Sequence, residues 1–247
     1  MKNLKIDINA DVGEGIGNED QLFPLISSCN IACGGHAGNL ETMLSVVRLA
    51  KKNNLKIGAH PSFPDRKNFG RKIMNISKDK LVKSLKNQIQ ALRTILIQEN
   101  VDLNHIKPHG ALYNFASNDK ETARIIIDLT KEINTKLYAP YSSLISKMAR
   151  EEGVKICNEL FIDRNYNSNL TLVSRDNPNA LIENSNEMFK HVYNIINNKI
   201  ISVDKKEISV EFDTLCIHGD NPNAIELLEE LHLKLNNIEI KIIKFKI

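Results

Sequence analysis

Short strand-like segments alternate with longer amphipathic helical segments along almost the whole chain of 247 residues, and this alternation most restricts the fold. Parallel strands need a helix-length connection between them, and such crossovers are right-handed. Seven or eight of these units in one chain predict a closed (β/α) barrel. With seven strands instead of eight, the barrel would be imperfect. An open, doubly wound sheet is the alternative.

The predicted elements follow from hydrophobic periodicity and turn residues. The predicted strands are Lys5–Asp11, Ser28–His36, Lys56–His60, His105–Pro108, Lys136–Pro140, Lys155–Phe161, Thr214–His218 and Ile238–Lys246. The predicted helices are Thr42–Ala50, Ser77–Glu99, Asp119–Ile133, Ser142–Glu152, Glu183–Ile196 and Asn223–Leu235. A hairpin is predicted from Ile200–Val203 and Glu207–Val210. No linker or repeat interrupts the series, so residues 1–247 are predicted to form one α/β domain.

Polar and ionisable residues cluster where the predicted strands end. They are Asn9, Asp11, Asn30, His36, His60, Asp65, Lys107, His109, Glu159, Asp163, Arg164, His218 and Asp220. The carboxyl ends of the strands meet on one face of a (β/α) barrel, where catalytic groups lie. We therefore predict an active site on this face. His105, His191 and His232 lack this placement and are interpreted as surface or helix residues.

Asp11 and Glu14 form a carboxylate pair in the segment NADVGEG. Two carboxylates can divide acid and base work when their surroundings separate their pKa values. The alternative is a turn in which Asp11 caps backbone amides and Glu14 faces water. His36 follows two glycines in CGGHAG, where the backbone can turn sharply or approach a ligand, although a structural histidine fits the same pattern. Glu14 and His36 are predicted to bind substrate.

Lys107 and His109 lie two residues apart in KPHGALYN, so their side chains face the same side of an extended segment. A lysine can stabilise developing negative charge while a neighbouring histidine acts as general base or acid. Lys107 could equally pair with a carboxylate on a neighbouring strand, and His109 could be a hydrogen-bonded core histidine.

Glu159, Asp163 and Arg164 supply two acids and a guanidinium close together. Arg164 is predicted to hold a substrate carboxylate in a forked ion pair, with an internal salt bridge as the alternative. His218 and Asp220 follow the last inner strand, and a carboxylate beside an imidazole can fix its tautomer. We place all five residues in the substrate-binding set.

A divalent metal is a further alternative for this face. Asp11, His60 and His109 come from separate strands and could ligate zinc or another divalent ion. The chain has no HExxH motif, and Val12 rather than a second acid follows Asp11. The sequence therefore assigns no metal ligand.

The overall charge excludes some partners. There are 33 Lys and Arg against 30 Asp and Glu, aromatic residues make up 5%, and Trp is absent, so nothing indicates nucleic-acid binding. No signal peptide and no membrane-spanning apolar stretch of about 20 residues is found. We expect a cytoplasmic protein whose four cysteines, unpaired in spacing, are reduced and buried.

Seven motifs occur in a characteristic order: NADVGEG, CNIACGGHAG, IGAHPSFPD, FGR, KPHGALYN, the E-x-F-x-D-R-x-Y run from Glu159 to Tyr166, and CIHGDNP. With them the chain resembles the family of the 5-oxoprolinase A subunit, formerly called lactam-utilization proteins, from about Lys5 to Leu235. One position departs from the family pattern, because Asn39 stands where the family commonly has Asp. Asparagine keeps the acceptor and the capping ability but loses the charge.

The resemblance implies a (β/α) barrel similar to that of sugar deacetylases. It also implies ATP-dependent opening of 5-oxo-L-proline to L-glutamate together with partner subunits B and C. The chain has no G-x-x-x-x-G-K-[ST] segment, so ATP is expected to be engaged mainly by the partners. In this scheme Asp11 or His109 is the base, Lys107 and His60 stabilise the oxyanion, and Arg164 holds the substrate carboxylate.

Two other functions fit the sequence. One is a metal-dependent deacetylase that acts on an amide-bearing sugar, since the fold and the bond are similar. The other is a non-catalytic subunit that only binds 5-oxoproline. The number of ionisable groups disfavours the second, because a pure binder of a small anionic ring needs few of them.

Overall fold

The computed structural model describes residues 4–244. The strands in chain order are β1 Lys5–Ile6, β2 Ile8–Val12, β3 Ser28–Ala32, β4 Lys56–His60, β5 Leu103–Ile106, β6 Lys136–Pro140, β7 Ile156–Phe161, β8 Lys199–Ile201, β9 Glu207–Ser209, β10 Thr214–Ile217 and β11 Lys241–Ile242. The helices are α1 Glu19–Leu22, α2 Leu40–Lys52, α3 Lys78–Gln98, α4 Gly110–Ala116, α5 Lys120–Ile133, α6 Leu144–Glu151, α7 Ser185–Ile196 and α8 Ala224–Asn236. A short 3-10 turn, Phe23–Leu25, follows α1.

Seven strands of the described range close a parallel barrel in the order β10, β2, β3, β4, β5, β6, β7 and back to β10. The closure confirms the predicted barrel and excludes the open sheet. Of the six connections between successive barrel strands, all except that from β2 to β3 contain at least one α-helix of eight or more residues, as the predicted β-α units require. The pairing of β10 with β2 then closes the barrel. The carboxyl ends of all seven strands therefore lie on one face.

Several predicted elements differ from the observed ones. The strand predicted over Lys5–Asp11 is two strands, because β1 pairs with β11 outside the barrel while β2 enters the barrel. The hairpin is confirmed, since β8 and β9 pair antiparallel. The last predicted strand is reduced to Lys241–Ile242, and residues 245–246 of that prediction lie outside the described range. Helices α1 and α4 were missed, because four and seven residues are too few to show periodicity.

Helix α3 shows how the outer layer packs on the barrel. Leu85, Ile89, Leu92 and Leu96 recur at helical spacing and are all buried, as the sequence predicts. Ile97 on the same helix is 68% exposed. Burial of this apolar stripe therefore packs α3 against the sheet. No helix in the described range is long and apolar enough to cross a membrane.

The interior of the barrel is polar, with apolar residues on the outer side of the strands beneath the helices. Asn9 donates to Thr214 Oγ1 at 2.9 Å on the neighbouring strand β10 and to Glu159 Oε1 at 2.9 Å on β7, one strand further. Asn30 donates to Asn9 Oδ1 at 2.7 Å. These buried polar groups are hydrogen-bonded to one another, as polar groups removed from water must be.

His105 corrects the sequence interpretation, since it is neither a surface nor a helix residue. It is fully buried on β5, bonds to Asn30 Oδ1 at 2.6 Å, and stacks on Tyr138 with ring centroids 3.7 Å apart. Gly58 on β4 makes room for it, because a Cβ there would lie 2.0 Å from His105 Nε2. His191 and His232 do lie on helices, α7 and α8, and His191 is buried.

Two substitutions on α3 test this packing. Leu92→Ala should lower the free energy of unfolding by about 2–5 kcal/mol, because it leaves a cavity in a fully buried position. Ile97→Ala, on the exposed side, should change it by less than about 0.5 kcal/mol. Urea denaturation followed by circular dichroism measures both. Equal losses in the two variants would contradict the assignment of the buried stripe.

Candidate active site

Lys107 lies at the centre of the polar interior, just beyond the end of β5. It is 2% exposed, and its Nζ lies 3.0 Å from Asp11 Oδ1, 2.9 Å from Glu159 Oε1 and 3.0 Å from Cys216 Sγ. Burial opposes the charged ammonium, but Asp11, Cys216 and Glu159 outweigh it and hold the pKa of Lys107 well above its usual value. Lys107 is therefore a cation in the barrel.

The carboxylates beside Lys107 are themselves held in place. Asn30 donates to Asp11 Oδ1 at 2.8 Å, and Tyr113 on α4 donates to Glu159 Oε2 at 2.6 Å. Burial opposes ionisation of Asp11, but its interactions with His60 and Lys107 keep its pKa well below the usual range. Tyr113 was not predicted as a site residue. The available signal was its spacing, four residues after His109 at the start of α4.

A second group lies next to Lys107, and we call Glu14, His36, His60 and His109 the mouth cluster. One ligand atom from each of these residues lies within 4.8 Å of the others. Glu14 Oε1 is 2.8 Å from His36 Nε2 and 3.3 Å from His109 Nδ1. His60 Nε2 is 3.0 Å from His109 Nδ1 and 3.3 Å from Asp11 Oδ2. Of the described residues, these four could hold a metal ion.

The local backbone positions the side chains of the mouth cluster. Glu14 lies between Gly13 and Gly15, whose φ angles of 72° and 88° favour glycine. His60 is the last residue of β4, and His109 immediately precedes α4. Strand ends and helix starts are rigid, so the two imidazoles are fixed while Glu14 is on a loop.

Burial changes the protonation of the mouth cluster. Burial, followed by the charge of Asp11, raises the pKa of Glu14 to about 7. Burial lowers the pKa of His36 to about 3 and also lowers the pKa of His109. His36 and His109 are therefore neutral imidazoles near pH 7.

His218 pairs with a different carboxylate from the predicted one. Its ring Nδ1 lies 3.0 Å from Asp163 Oδ2, and its backbone N–H donates to the same oxygen at 3.1 Å. Asp220 instead pairs with Arg71, which was not predicted as a site residue, and lies 3.8 Å from Arg175 Nη1. The strand register explains this pairing, because Cys216 lies beside Phe161 and the residues two further along each chain are His218 and the fully buried Asp163.

Arg164 bonds to backbone carbonyls rather than forming the internal salt bridge considered from the sequence. Its Nη2 donates to the Val173 carbonyl at 2.6 Å and its Nε to the Ala180 carbonyl at 3.3 Å. These bonds tie the long segment after β7 to the barrel. Arg164 also lines the cavity described next.

A cavity of about 910 Å³ opens over the strand ends. Its lining includes Asp11, His60, Lys107, His109, Glu159 and His218. Carboxylates, imidazoles and an ammonium therefore face the same cavity. Such a set can activate water, transfer protons and stabilise an oxyanion.

Asn39, the departure from the family pattern, has a structural role. It precedes α2, and its Oδ1 accepts from the Thr42 N–H at 2.8 Å. The helix cap therefore survives without the negative charge. The cysteines are all free, with Cys157 partly buried and the other three buried.

The fold and the site define a class of protein, a seven-stranded (β/α) barrel with a buried lysine and an imidazole–carboxylate cluster at its mouth. The barrel is similar to that of the family 4 carbohydrate esterase from Streptomyces lividans, with a TM-score of 0.54, 8% identity and coverage of 98% of this chain and 92% of that chain. At that identity the similarity concerns the fold alone.

Residues 6–247 match the LamB/YcsF family, and the chain belongs to this family. The 5-oxoprolinase A subunit of Haemophilus influenzae (strain PittEE) is 39% identical over 241 residues, which is 96% of this chain and 98% of the relative. The crystal structure of the lactam utilization protein from Thermus thermophilus superposes with a TM-score of 0.91 at 36% identity, covering 98% of this chain and 100% of that chain.

The buried lysine can be tested by removing its charge. Lys107→Met should cost about 3–5 kcal/mol of stability, because it leaves Asp11 and Glu159 buried without their cation. Lys86→Met is the matched control, since its partner Glu132 and Lys86 itself are exposed, and should cost less than about 1 kcal/mol. Urea denaturation near neutral pH measures both. Similar losses would show that the interior does not depend on this ammonium.

The Asp163–His218 pair predicts a pH dependence of stability. Burial opposes ionisation of Asp163, but His218 outweighs it and lowers the pKa of this carboxyl. A lowered pKa stabilises the fold above the ordinary Asp value of about 3.9, and the stabilisation disappears as pH falls through the folded value. Asp163→Asn should therefore cost about 1–3 kcal/mol near pH 7, and this cost should shrink as pH falls below about 3.9.

Urea denaturation as a function of pH checks this expectation. The exposed Asp128→Asn serves as the control, and its stability should parallel the wild type at every pH. A deficit of Asp163→Asn that stays constant down to about pH 3 would contradict the role of ionised Asp163.

Proposed function

We propose that this chain is the barrel subunit of an ATP-dependent 5-oxoprolinase, a hydrolase that opens 5-oxo-L-proline to L-glutamate together with partner subunits B and C. The observation that carries the proposal is the match to a 5-oxoprolinase A subunit over 96% of this chain and 98% of that protein at 39% identity. The ionisable cavity at the barrel mouth supports it, because amide opening needs a base and charge stabilisation close together.

The chemistry explains why ATP and partners are needed. A five-membered lactam is a stabilised amide, so its hydrolysis is poorly driven. Transfer of the ATP γ-phosphoryl group to the lactam oxygen makes the ring carbon electrophilic. Water then adds to that carbon and gives up a proton to a base, the ring C–N bond breaks, and the nitrogen takes up a proton. A second water releases phosphate from the resulting acyl phosphate and leaves glutamate.

The residues of this chain fit the hydrolytic half of that sequence. Asp11 and His109 line the cavity, and either can accept the proton from water. Lys107 and His60 lie on either side of Asp11, and we assign both to stabilising the oxyanion, with Lys107 supplying the positive charge. Arg164, anchored through Nε and Nη2, lines the same cavity and is proposed to hold the substrate carboxylate.

The phosphorylation half is assigned to the partners. The chain contains no G-x-x-x-x-G-K-[ST] segment that would cradle nucleotide phosphates. We therefore propose that ATP binds to subunits B and C. We also propose that the complex is cytoplasmic.

Reconstitution tests this division of labour. The purified chain alone should form no glutamate from 5-oxoproline and ATP, whereas the chain with subunits B and C should form glutamate and phosphate together. Glutamate is measured by an enzyme-coupled assay and phosphate colorimetrically. Turnover by the chain alone would contradict the division, and no turnover with both partners present would contradict the function.

Asp11 and His109 test the catalytic role within the reconstituted complex. Asp11→Asn and His109→Ala should each lower kcat by about 100-fold or more, the usual contribution of general acid–base catalysis. Asp128→Asn on the exposed face of α5 should leave kcat unchanged. A raised KM with full kcat in both site variants would instead identify a subunit that only binds the lactam.

A further inference from the structure

The hydrogen bonds of two histidines fix which of their nitrogens carry protons. His60 Nδ1 lies 2.7 Å from the Lys107 carbonyl oxygen, and His109 Nε2 lies 2.9 Å from the Phe69 carbonyl oxygen. A carbonyl oxygen only accepts, so both of these nitrogens carry the proton. In a neutral imidazole the other nitrogen then presents a lone pair. With both rings neutral, His60 Nε2 and His109 Nδ1 are therefore acceptors.

These two acceptors face each other and a carboxylate. His60 Nε2 and His109 Nδ1 are 3.0 Å apart. Glu14 Oε1 lies 3.3 Å from His109 Nδ1 and 3.9 Å from His60 Nε2. Three electron-rich atoms at these distances repel one another unless a positive charge lies between them.

We propose that Glu14, His60 and His109 bind one divalent transition-metal ion at the mouth of the barrel, with His36 holding Glu14 in position. With this ion bound, Asp11 rather than His109 is the base of the proposed reaction, and Lys107 supplies the charge at the oxyanion. The distances agree with the metal assignment. Zinc bonds nitrogen and oxygen at about 2.0–2.1 Å, which places tetrahedral ligands about 3.3–3.4 Å apart. The three observed separations, from 3.0 to 3.9 Å, lie around that value.

Ring orientation separates the ligands from the positioning residue. The rings of His60 and His109 are 87° apart, so their lone pairs approach one point from two directions. The His36 ring is parallel to that of His109 at 3.6 Å, so an ion in the plane of His109 lies outside the plane of His36. His36 instead reaches Glu14 Oε1 at 2.8 Å and orients that carboxylate.

The surrounding charge favours a divalent cation. Three carboxylates with little exposure, Asp11, Glu14 and Glu159, lie in the barrel interior and its mouth, and the ammonium of Lys107 pairs with two of them, Asp11 and Glu159. Asp11 Oδ2 is only 3.3 Å from His60 Nε2, which adds to the negative charge at the proposed site. An ion of charge two would offset the surplus of carboxylates.

The donor set indicates the class of metal. Two imidazole nitrogens and one carboxylate oxygen suit zinc, cobalt, nickel, iron or manganese, whereas magnesium and calcium prefer oxygen ligands. Three protein ligands leave a position for water or a substrate oxygen, which is the pattern of catalytic zinc sites. His60 and His109 also line the cavity, so that position is accessible from it.

Metal uptake by the purified full-length chain tests the proposal directly. The protein is dialysed against a chelator, then exposed to Zn²⁺, Co²⁺ or Mg²⁺, and metal content is measured by elemental analysis after removal of free ions. About one Zn²⁺ or Co²⁺ per chain is expected, together with a visible absorption band from nitrogen-coordinated Co²⁺. Absence of both from the wild type would overturn the proposal, and a proton on the imidazoles would then supply the positive charge.

Variants separate ligands from the positioning residue. His60→Ala and His109→Ala should each abolish uptake at Co²⁺ concentrations that saturate the wild type. His36→Gln should weaken binding by about 10–100-fold, the usual cost of losing a residue that orients a ligand. His232→Gln on α8 is the control and should bind like the wild type.

Circular dichroism establishes whether each variant is folded. Unchanged Co²⁺ uptake in folded His60→Ala and His109→Ala would overturn the ligand assignment. If either variant fails to fold, the wild-type stoichiometry and Co²⁺ spectrum still decide whether the site binds metal. The measurements need neither 5-oxoproline nor a partner protein, so they are independent of the proposed reaction.

Discussion

A buried ammonium organises the centre of this protein. Lys107 is almost completely removed from water, and an ammonium in that position is tolerated only with opposite charges and full hydrogen bonding. Asp11 and Glu159 supply the charges, and Asn9 and Asn30 connect them across the barrel. Because these residues come from separate strands, the barrel must close in register for the charges to meet.

The same arrangement places reactive groups at the mouth. Asp11 contacts Lys107 through one oxygen and His60 through the other, and so joins the polar interior to the mouth cluster. The polar interior thus stabilises the fold and, in the proposed reaction, also positions the reacting groups. The barrel holds its ionisable side chains on rigid strand ends, while the segment after β7, tied down by Arg164, covers part of the cavity. Precise positioning of this kind is what acid–base and metal chemistry require.

Most of the fold was predictable from local patterns. Strands Lys56–His60 and Lys136–Pro140 have the predicted bounds, and helix α3 begins and ends within one residue of the prediction. These segments have clear hydrophobic periods and polar ends. The short helix α4 was missed because Gly110–Ala116 makes too few turns to show a period. The split at Asp7 was missed because pairing with β11 depends on contacts more than two hundred residues away.

The candidate site, like the fold, was predictable in part from the sequence. The sequence by itself determined that Asp11, His60, Lys107 and His109 follow strands, and a parallel barrel brings such positions to one face. Only the tertiary structure decided which side chains form hydrogen bonds and ion pairs with one another. His218 pairs with Asp163 rather than Asp220, and His105 lies inside the barrel. It also decided that His60 Nε2 and His109 Nδ1 lie 3.0 Å apart, since the carbonyls that bind the other nitrogen of each ring belong to other segments. Side-chain chemistry is local, but hydrogen-bond partners are chosen by packing across the barrel.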